Sequence, residues 1–497
     1  MPRISFLTTL SLLSFSSATL SGAAYQIYSQ SANSMGYAHA DMAALTADAS
    51  TAWYNPAGMT KLCDPELCFG GSLFMIKEEF NSKVGFSSLT DLLVYEQGVI
   101  TTIPAQSFEQ PFRAERALGT TWPIFPSINA VYPIHYYDLH FAFGLAVDCP
   151  WGLETDYSYS HVASYAEQTL IESVQINPSI AIGYRGLSFA VGYGREFLET
   201  KFTTSVINTG AYFKLNGWEN TYNLAFLYEV DPTLTVGATY RPGITHRIKG
   251  SASLMFNDST ASCRFKTPGV VTGGFKYDIS RRWSLLGTVG YNLWSQVKEI
   301  KIFTGIPQVV VDPKFLGLID SLIPSLIPSP PGPFPPGTTF SIQNIITLNT
   351  GEATIHINGK DTLFLAIGSK YDASDMWTVK MGFAYDQSPV RSGSRELHIP
   401  DNDHYLFSIG ARCNFNDFVF ADFGLEYIFT PKCGIKNNPI LPVSSVPPTL
   451  VITLPGGEVI DYPINNEIMV PAADHGFSGP INTTAIAFGI QVGVIFP

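Results

Sequence analysis

Charge is scarce in this chain. Only 14% of its 497 residues are Asp, Glu, Lys or Arg, whereas 45% are hydrophobic. Soluble domains carry about a quarter charged residues. The apolar content excludes a disordered chain. Long apolar runs are also missing: past the N-terminus nothing approaches the ~18 residues of a spanning helix, which excludes a helical membrane protein. Cysteine is sparse. Cys63, Cys68, Cys149, Cys263, Cys413 and Cys433 have no histidine pairs beside them, so no metal pattern emerges. Basic residues are in deficit, 29 against 41 acidic, and the net charge of −12 argues against a nucleic-acid partner. Enzyme constellations are absent as well. His404 follows Asp401 and Asp403, and Gly192-Tyr193-Gly194 looks glycine-rich, but neither makes a nucleophile elbow, a zinc site or a phosphate loop. No catalytic residue, cofactor or metal is expected.

What is present is alternation. Leu139, Phe141, Phe143, Leu145 and Val147 share one strand face, with His140, Ala142, Gly144, Ala146 and Asp148 on the other. Trp377, Val379, Met381, Phe383 and Tyr385 repeat this against Thr378, Lys380, Gly382, Ala384 and Asp386. Val419 to Phe429 does so again, and the last strand puts Ile486, Phe488, Ile490, Val492, Val494 and Phe496 on one face. One face is large and apolar, the other small and mixed polar, which fits lipid outside and a packed lumen inside. Tight turns at Tyr137-Asp138, Arg185-Gly186, Asp231-Pro232 and Asn416-Asp417 alternate with long connections, among them 77–121, 150–171, 250–262, 302–350, 388–402 and 431–481. The pattern predicts an all-β transmembrane antiparallel barrel of about 14 strands.

The N-terminus reads as a secretory signal over 1–23: Arg3, then a short apolar stretch from Ile4 to Phe15, then small residues at Ser21-Gly22-Ala23. Residues 24–64 follow as a small, polar, low-charge segment without strand alternation, closed by Asn55-Pro56-Ala57-Gly58 turn chemistry. Ahead of membrane strands such a segment suggests a plug in the lumen; the simpler reading is an N-terminal arm. The barrel occupies 65–497. Export permits disulfides, with Cys63–Cys68 and Cys413–Cys433 as pairings and free thiols as the alternative. Phe315, Leu318, Ile319 and Leu322 sit at helical spacing before a proline-rich run, as an apolar lid or as a loop packed on the barrel rim.

Several segments together resemble the FadL-type long-chain fatty-acid transporters of the outer membrane. They are Ser34 to Ala38 with Ala47 to Ala57, including Asn55-Pro56-Ala57; Pro150 to Tyr157; Ile176 to Ala181; Tyr240-Arg241 with His246 to Gly250; and Asp386 to Val390 with Ile399 to His404. The resemblance implies a monomer in the bacterial outer membrane, among lipid and lipopolysaccharide. It implies an N-terminal hatch (gate residues Asn55, Pro56, Ala57) and capture of a long-chain fatty acid or other apolar small molecule by outer loops. Release would be lateral, beside a kinked third strand where Gly144 and Pro150 stand. Ser164-Tyr165 departs from the family's Arg-Tyr, so Lys380 is the candidate carboxylate contact, with pairing to a lumen Asp as its alternative. Uptake of neutral hydrocarbons or aromatics, a sealed structural or adhesive protein, and an open porin are the competing readings.

Overall fold

The structure is a computed structural model that describes residues 24–84, 92–96, 99–103, 115–158, 166–206, 209–254, 257–305, 308–310, 339–343, 347–349, 352–436, 449–453, 459–463 and 477–497. Fourteen wall strands form a closed antiparallel barrel. They are β1 Glu66–Val84, β2 Glu115–Thr121 continued by Ile124–Tyr136, β3 Leu139–Asp148 continued by Gly152–Asp156, β4 Gln168–Tyr184, β5 Leu187–Val206, β6 Thr209–Glu229 and β7 Leu234–Arg241 continued by Thr245–Leu254. Then come β8 Asn257–Lys266 continued by Val270–Asp278, β9 Trp283–Asn292 continued by Glu299–Thr304, β10 Glu352–His356 continued by Thr362–Asp372, β11 Trp377–Asp386, β12 His404–Asn414, β13 Val419–Phe429 continued by Cys433–Lys436, and β14 Phe477–Ile495. The first strand pairs with the last from Glu66↔Ile495 to Val84↔Phe477, so the sheet has no free edge.

The alternation has its expected cause. Phe141, Phe143 and Leu145 are exposed while Ala142 and Ala146 between them are buried; Val379, Met381 and Phe383 are exposed while Thr378, Lys380 and Ala384 are buried. Small inward residues leave room for something inside, and the large outward ones present an apolar band to lipid. At Arg185-Gly186 both residues have positive φ (47° and 83°), the turn geometry that matches strand twist.

Two expectations are corrected. The stretch 250–262 is not a long loop. The strands run on to Leu254 and restart at Asn257, with Gly250 opposite Ala261. Serine, threonine and lysine outside an apolar band still pair as strand, because the ladder bonds are backbone bonds. Nor are the suggested disulfides formed: all six cysteines are free. Cys413 lies opposite Ala421 near the start of β13, whereas Cys433 opens the continuation of that strand past Phe429, so the first part of β13 separates them.

Ahead of β1 stand two single-turn helices, α1 Ala32–Met35 and α2 Thr51–Tyr54, and a 3-10 helix, Pro56–Lys61. The Ser31 hydroxyl caps α1 by accepting from the Asn33 N–H at 3.1 Å. Asn55 caps the 3-10 helix by accepting from the Ala57 N–H at 3.1 Å, and Pro56 occupies the first helical position, where no N–H is needed. Apart from Leu45–Ala47 and Tyr54, every residue from Ala24 to Thr60 is buried. The wall accommodates this segment with glycine. A Cβ on Gly237 of β7 would stand 1.9 Å from the Ala43 carbonyl oxygen, and one on Gly382 of β11 2.0 Å from that of Tyr37.

Candidate functional site

The β2–β3 ladder runs from Tyr136↔Leu139 to Ile128↔Val147 and goes no further. Beyond it β3 breaks at Cys149-Pro150-Trp151, since Pro150 has no N–H to donate. Backbone groups freed at a membrane wall must find other partners, and here the N-terminal segment provides them. Ile27 N–H donates to the Pro150 carbonyl (2.9 Å), and Gly152 N–H donates to the Tyr25 carbonyl (2.8 Å). The Gln30 carboxamide brackets Cys149, accepting from its N–H at 2.9 Å and donating to its carbonyl at 2.6 Å. One short piece of chain therefore closes the irregular part of the wall.

Beside the break lies a pocket of about 80 Å³, lined by Tyr28, Trp53, Tyr54, Pro150, Trp151 and Arg241 among others. A cavity of about 150 Å³ holds benzene, so an apolar ligand larger than benzene enters only by displacing side chains or the segment itself. Arg241 ends the first half of β7, just before Pro242-Gly243 interrupts that strand. Its guanidinium lies 3.9 Å from the Trp53 ring centroid and donates to the Trp53 carbonyl. Its Nη1 is shielded from solvent and has no hydrogen-bond partner. Glu196, also in the lining, faces His246 at 2.9 Å. The site thus offers an aromatic, largely apolar wall and one guanidinium edge free to take an acceptor.

Away from the pocket, charges bind the segment to the wall. Lys380 Nζ donates to Asp422 Oδ1 and to Asn33 Oδ1 of α1, both at 2.5 Å. Arg412 forks onto Asp422 at 2.9 and 2.7 Å, and reaches the segment at the Ala47 carbonyl (2.8 Å) and the Asp48 carboxylate. His39 lies 3.3 Å from Glu426, itself bonded by Ser408 at 2.9 Å. These charges are buried, so each is costly without its partner.

The residues singled out in the sequence fall in three places. Asn55, Pro56 and Ala57 are buried at the segment's contact with β6, where Asn55 Nδ2 donates to the Phe226 carbonyl at 3.0 Å. Gly144 lies within the continuous ladders of β3, opposite Val131 and Ser179, so the strand is irregular at Pro150 and not there. A Cβ on Gly144 would stand 2.2 Å from Met59 Sδ, so this glycine makes room for the 3-10 helix. Lys380 faces Asp422 rather than the pocket lining, the pairing weighed as its alternative. Phe315, Leu318, Ile319, Leu322 and Ser164 lie outside the described residues. Arg241 appears in the sequence only within the Tyr240-Arg241 motif; the signal that sets it apart is a charge in a lumen strand directly before Pro-Gly. The Asp386–His404 motif is a loop staple. Asp401 accepts from Ser388 Oγ at 2.5 Å and pairs with His404 at 2.8 Å. The carboxylate stands between serine and histidine, so the imidazole does not reach the hydroxyl and the order of a Ser-His-Asp triad is not met.

A family model described as outer membrane protein transport protein (OMPP1/FadL/TodX) matches residues 13–447. The long-chain fatty acid transport protein of Salmonella typhi is 22% identical over 461 residues, covering 84% of this chain and 90% of that protein. The crystal structure of a Pseudomonas aeruginosa FadL homologue is similar with a TM-score of 0.69 at 17% identity, covering 96% of this chain and 100% of that one. That of the Ralstonia pickettii toluene transporter TbuX gives a TM-score of 0.52 at 12% identity, covering 92% and 95%.

Proposed function

This chain belongs to the outer membrane protein transport family (OMPP1/FadL/TodX), and we propose that within it the protein carries long-chain fatty acids or similar apolar molecules inward across the outer membrane. The family consists of transporters, not enzymes, and the barrel is an outer-membrane one. In this reading the segment 24–64 is a plug. Ligand is captured at the loop end, displaces the aromatic lining at Trp53 and Trp151, and leaves sideways at the Cys149–Trp151 break. The observation that carries the reading is that Tyr25–Ile27 of the plug themselves bond the break in β3. Movement of the plug would therefore open the pocket and the wall together. A fatty-acid carboxylate would sit on the unpartnered Nη1 of Arg241, the role first assigned to Lys380. Neutral aromatics are the second reading. The ring-lined pocket favours them, and they would not need the guanidinium.

The test is uptake by Gram-negative cells lacking their own fatty-acid transporter, expressing the protein or Arg241→Gln at equal surface levels. The fatty-acid reading expects oleate uptake to fall at least tenfold in the variant, with toluene uptake little changed. Equal oleate uptake by both removes Arg241 from ligand binding. Toluene uptake without oleate uptake in the native protein transfers the assignment to neutral hydrocarbons.

A further inference from the structure

At the opposite end of β3 from the break, His135 of β2 and His140 of β3 are direct cross-strand partners joined by a tight turn. Both side chains lie on the face that carries buried Val131, Ala142 and Ala146, close to the mouth of the barrel. Their Nδ1 atoms are 2.7 Å apart. His135 Nε2 stands 2.9 Å from the Leu62 carbonyl, where the 3-10 helix ends before β1. A carbonyl only accepts, so Nε2 carries the proton and the lone pair of His135 sits on Nδ1, directed at His140. That is the arrangement of a metal-ligating histidine: one ring nitrogen held by a carbonyl, the other free to coordinate.

We propose that His135 and His140 form a binding site for a late first-row divalent cation of the zinc, nickel or copper class. Imidazole nitrogen suits these ions, and carboxylate-preferring calcium and magnesium would not be held. Metal–nitrogen bonds of about 2.0–2.1 Å in tetrahedral geometry place two ligand atoms about 3.3 Å apart. The rings need to part by roughly 0.6 Å. His135 is exposed and His140 half-buried, so nothing rigid opposes this. Binding requires His140 to change tautomer: its Nδ1 proton leaves to solvent and its Nε2 takes one up from solvent. No net proton is released, and both rings ligate as neutral imidazoles, with water completing the coordination. The ion would clamp β2 to β3 at the point where the plug's last helix joins the wall.

The test is calorimetric titration of the full-length, tag-free protein in detergent with ZnCl₂, beside His135→Ala, His140→Ala and the double variant. Unheated gel mobility checks that each barrel is folded. The proposal expects one zinc per barrel at this site. Either single substitution should weaken it at least tenfold, and the double should be no worse than the singles. A single variant folded as a barrel that binds within twofold of the native protein overturns it. So does binding that persists unchanged in the double variant, which would place the ion elsewhere. Should a variant fail to fold, NMR of the native barrel labelled with ¹⁵N-histidine decides the matter. Zinc must shift two imidazole resonances in parallel, and the absence of any shift at one equivalent rejects the site.

Discussion

The carboxamide nitrogen of Asn55 lies 3.0 Å from the carbonyl oxygen of Phe226 in β6 and 2.6 Å from that of Ala43. One side chain thus binds the wall, folds the N-terminal segment on itself and, through its oxygen, caps the helix that begins at Pro56. Asn55→Ala removes all three bonds and leaves two carbonyls and an N–H to be satisfied otherwise. The docked segment should lose about 1–3 kcal/mol, the cost of unmet buried polar groups. Hydrogen exchange checks this. Amides from Thr51 to Lys61 should exchange faster while the β6 amides stay protected.

The buried charges give an asymmetric prediction. Asp422 serves both Lys380 and Arg412, whereas Arg412 also holds Asp48. Lys380→Met therefore leaves a satisfied Arg412–Asp422 pair. Asp422→Asn leaves two cations facing one neutral amide. The second should cost about 3–5 kcal/mol, the range for breaking a buried pair, and the first clearly less. Thermal unfolding of the two variants, read from gel mobility, should rank them in that order.

Docking of the N-terminal segment is also testable without removing a bond. The Gly382 Cβ position is 2.0 Å from a backbone oxygen of the segment, and nothing lies within 4 Å of the Gly434 position. Gly382→Ala should expel the segment locally and raise ion conductance in planar bilayers, while Gly434→Ala should behave as the native barrel. Equal, low conductance of Gly382→Ala would show that the segment does not close the lumen.

A pH effect is expected in the loop between β11 and β12. Burial pushes the Glu396 carboxyl up to about 8 from 4.5. The folded loop then holds a proton between these values that the opened loop releases, so its docking is strongest below pH 4.5 and weakens as pH rises towards 8. Protease cleavage within 388–402 should accelerate between pH 4.5 and 8 and level off above that. In Glu396→Gln the Glu396 contribution to this acceleration should vanish.

The barrel was legible because its cause is local. Two-residue alternation located strands such as Leu139–Asp148, Trp377–Asp386 and Val419–Phe429. The hairpin at 250–262 was not legible, because polar ladders lack the alternation that lipid imposes. Lys380 was correctly placed on the inward face, but its partner Asp422 is 42 positions away, and only the register of β11, β12 and β13 brings them together. Asn55-Pro56-Ala57 could be read as a cap and turn, whereas its bond to Phe226 spans 171 positions. Arg241 stands in the sequence only as part of the Tyr240-Arg241 motif, and the pocket is what marks it as a candidate ligand contact.

The most direct measurement is photo-crosslinking with a diazirine-bearing long-chain fatty acid, mapped by mass spectrometry on the native protein in outer membranes. The account predicts adducts on Trp53 or Tyr54, on Pro150 or Trp151, and on the 239–244 stretch, lost in competition with oleate. Adducts confined to outward positions such as Phe143, Met381 or Phe488, with none at those sites, would contradict it.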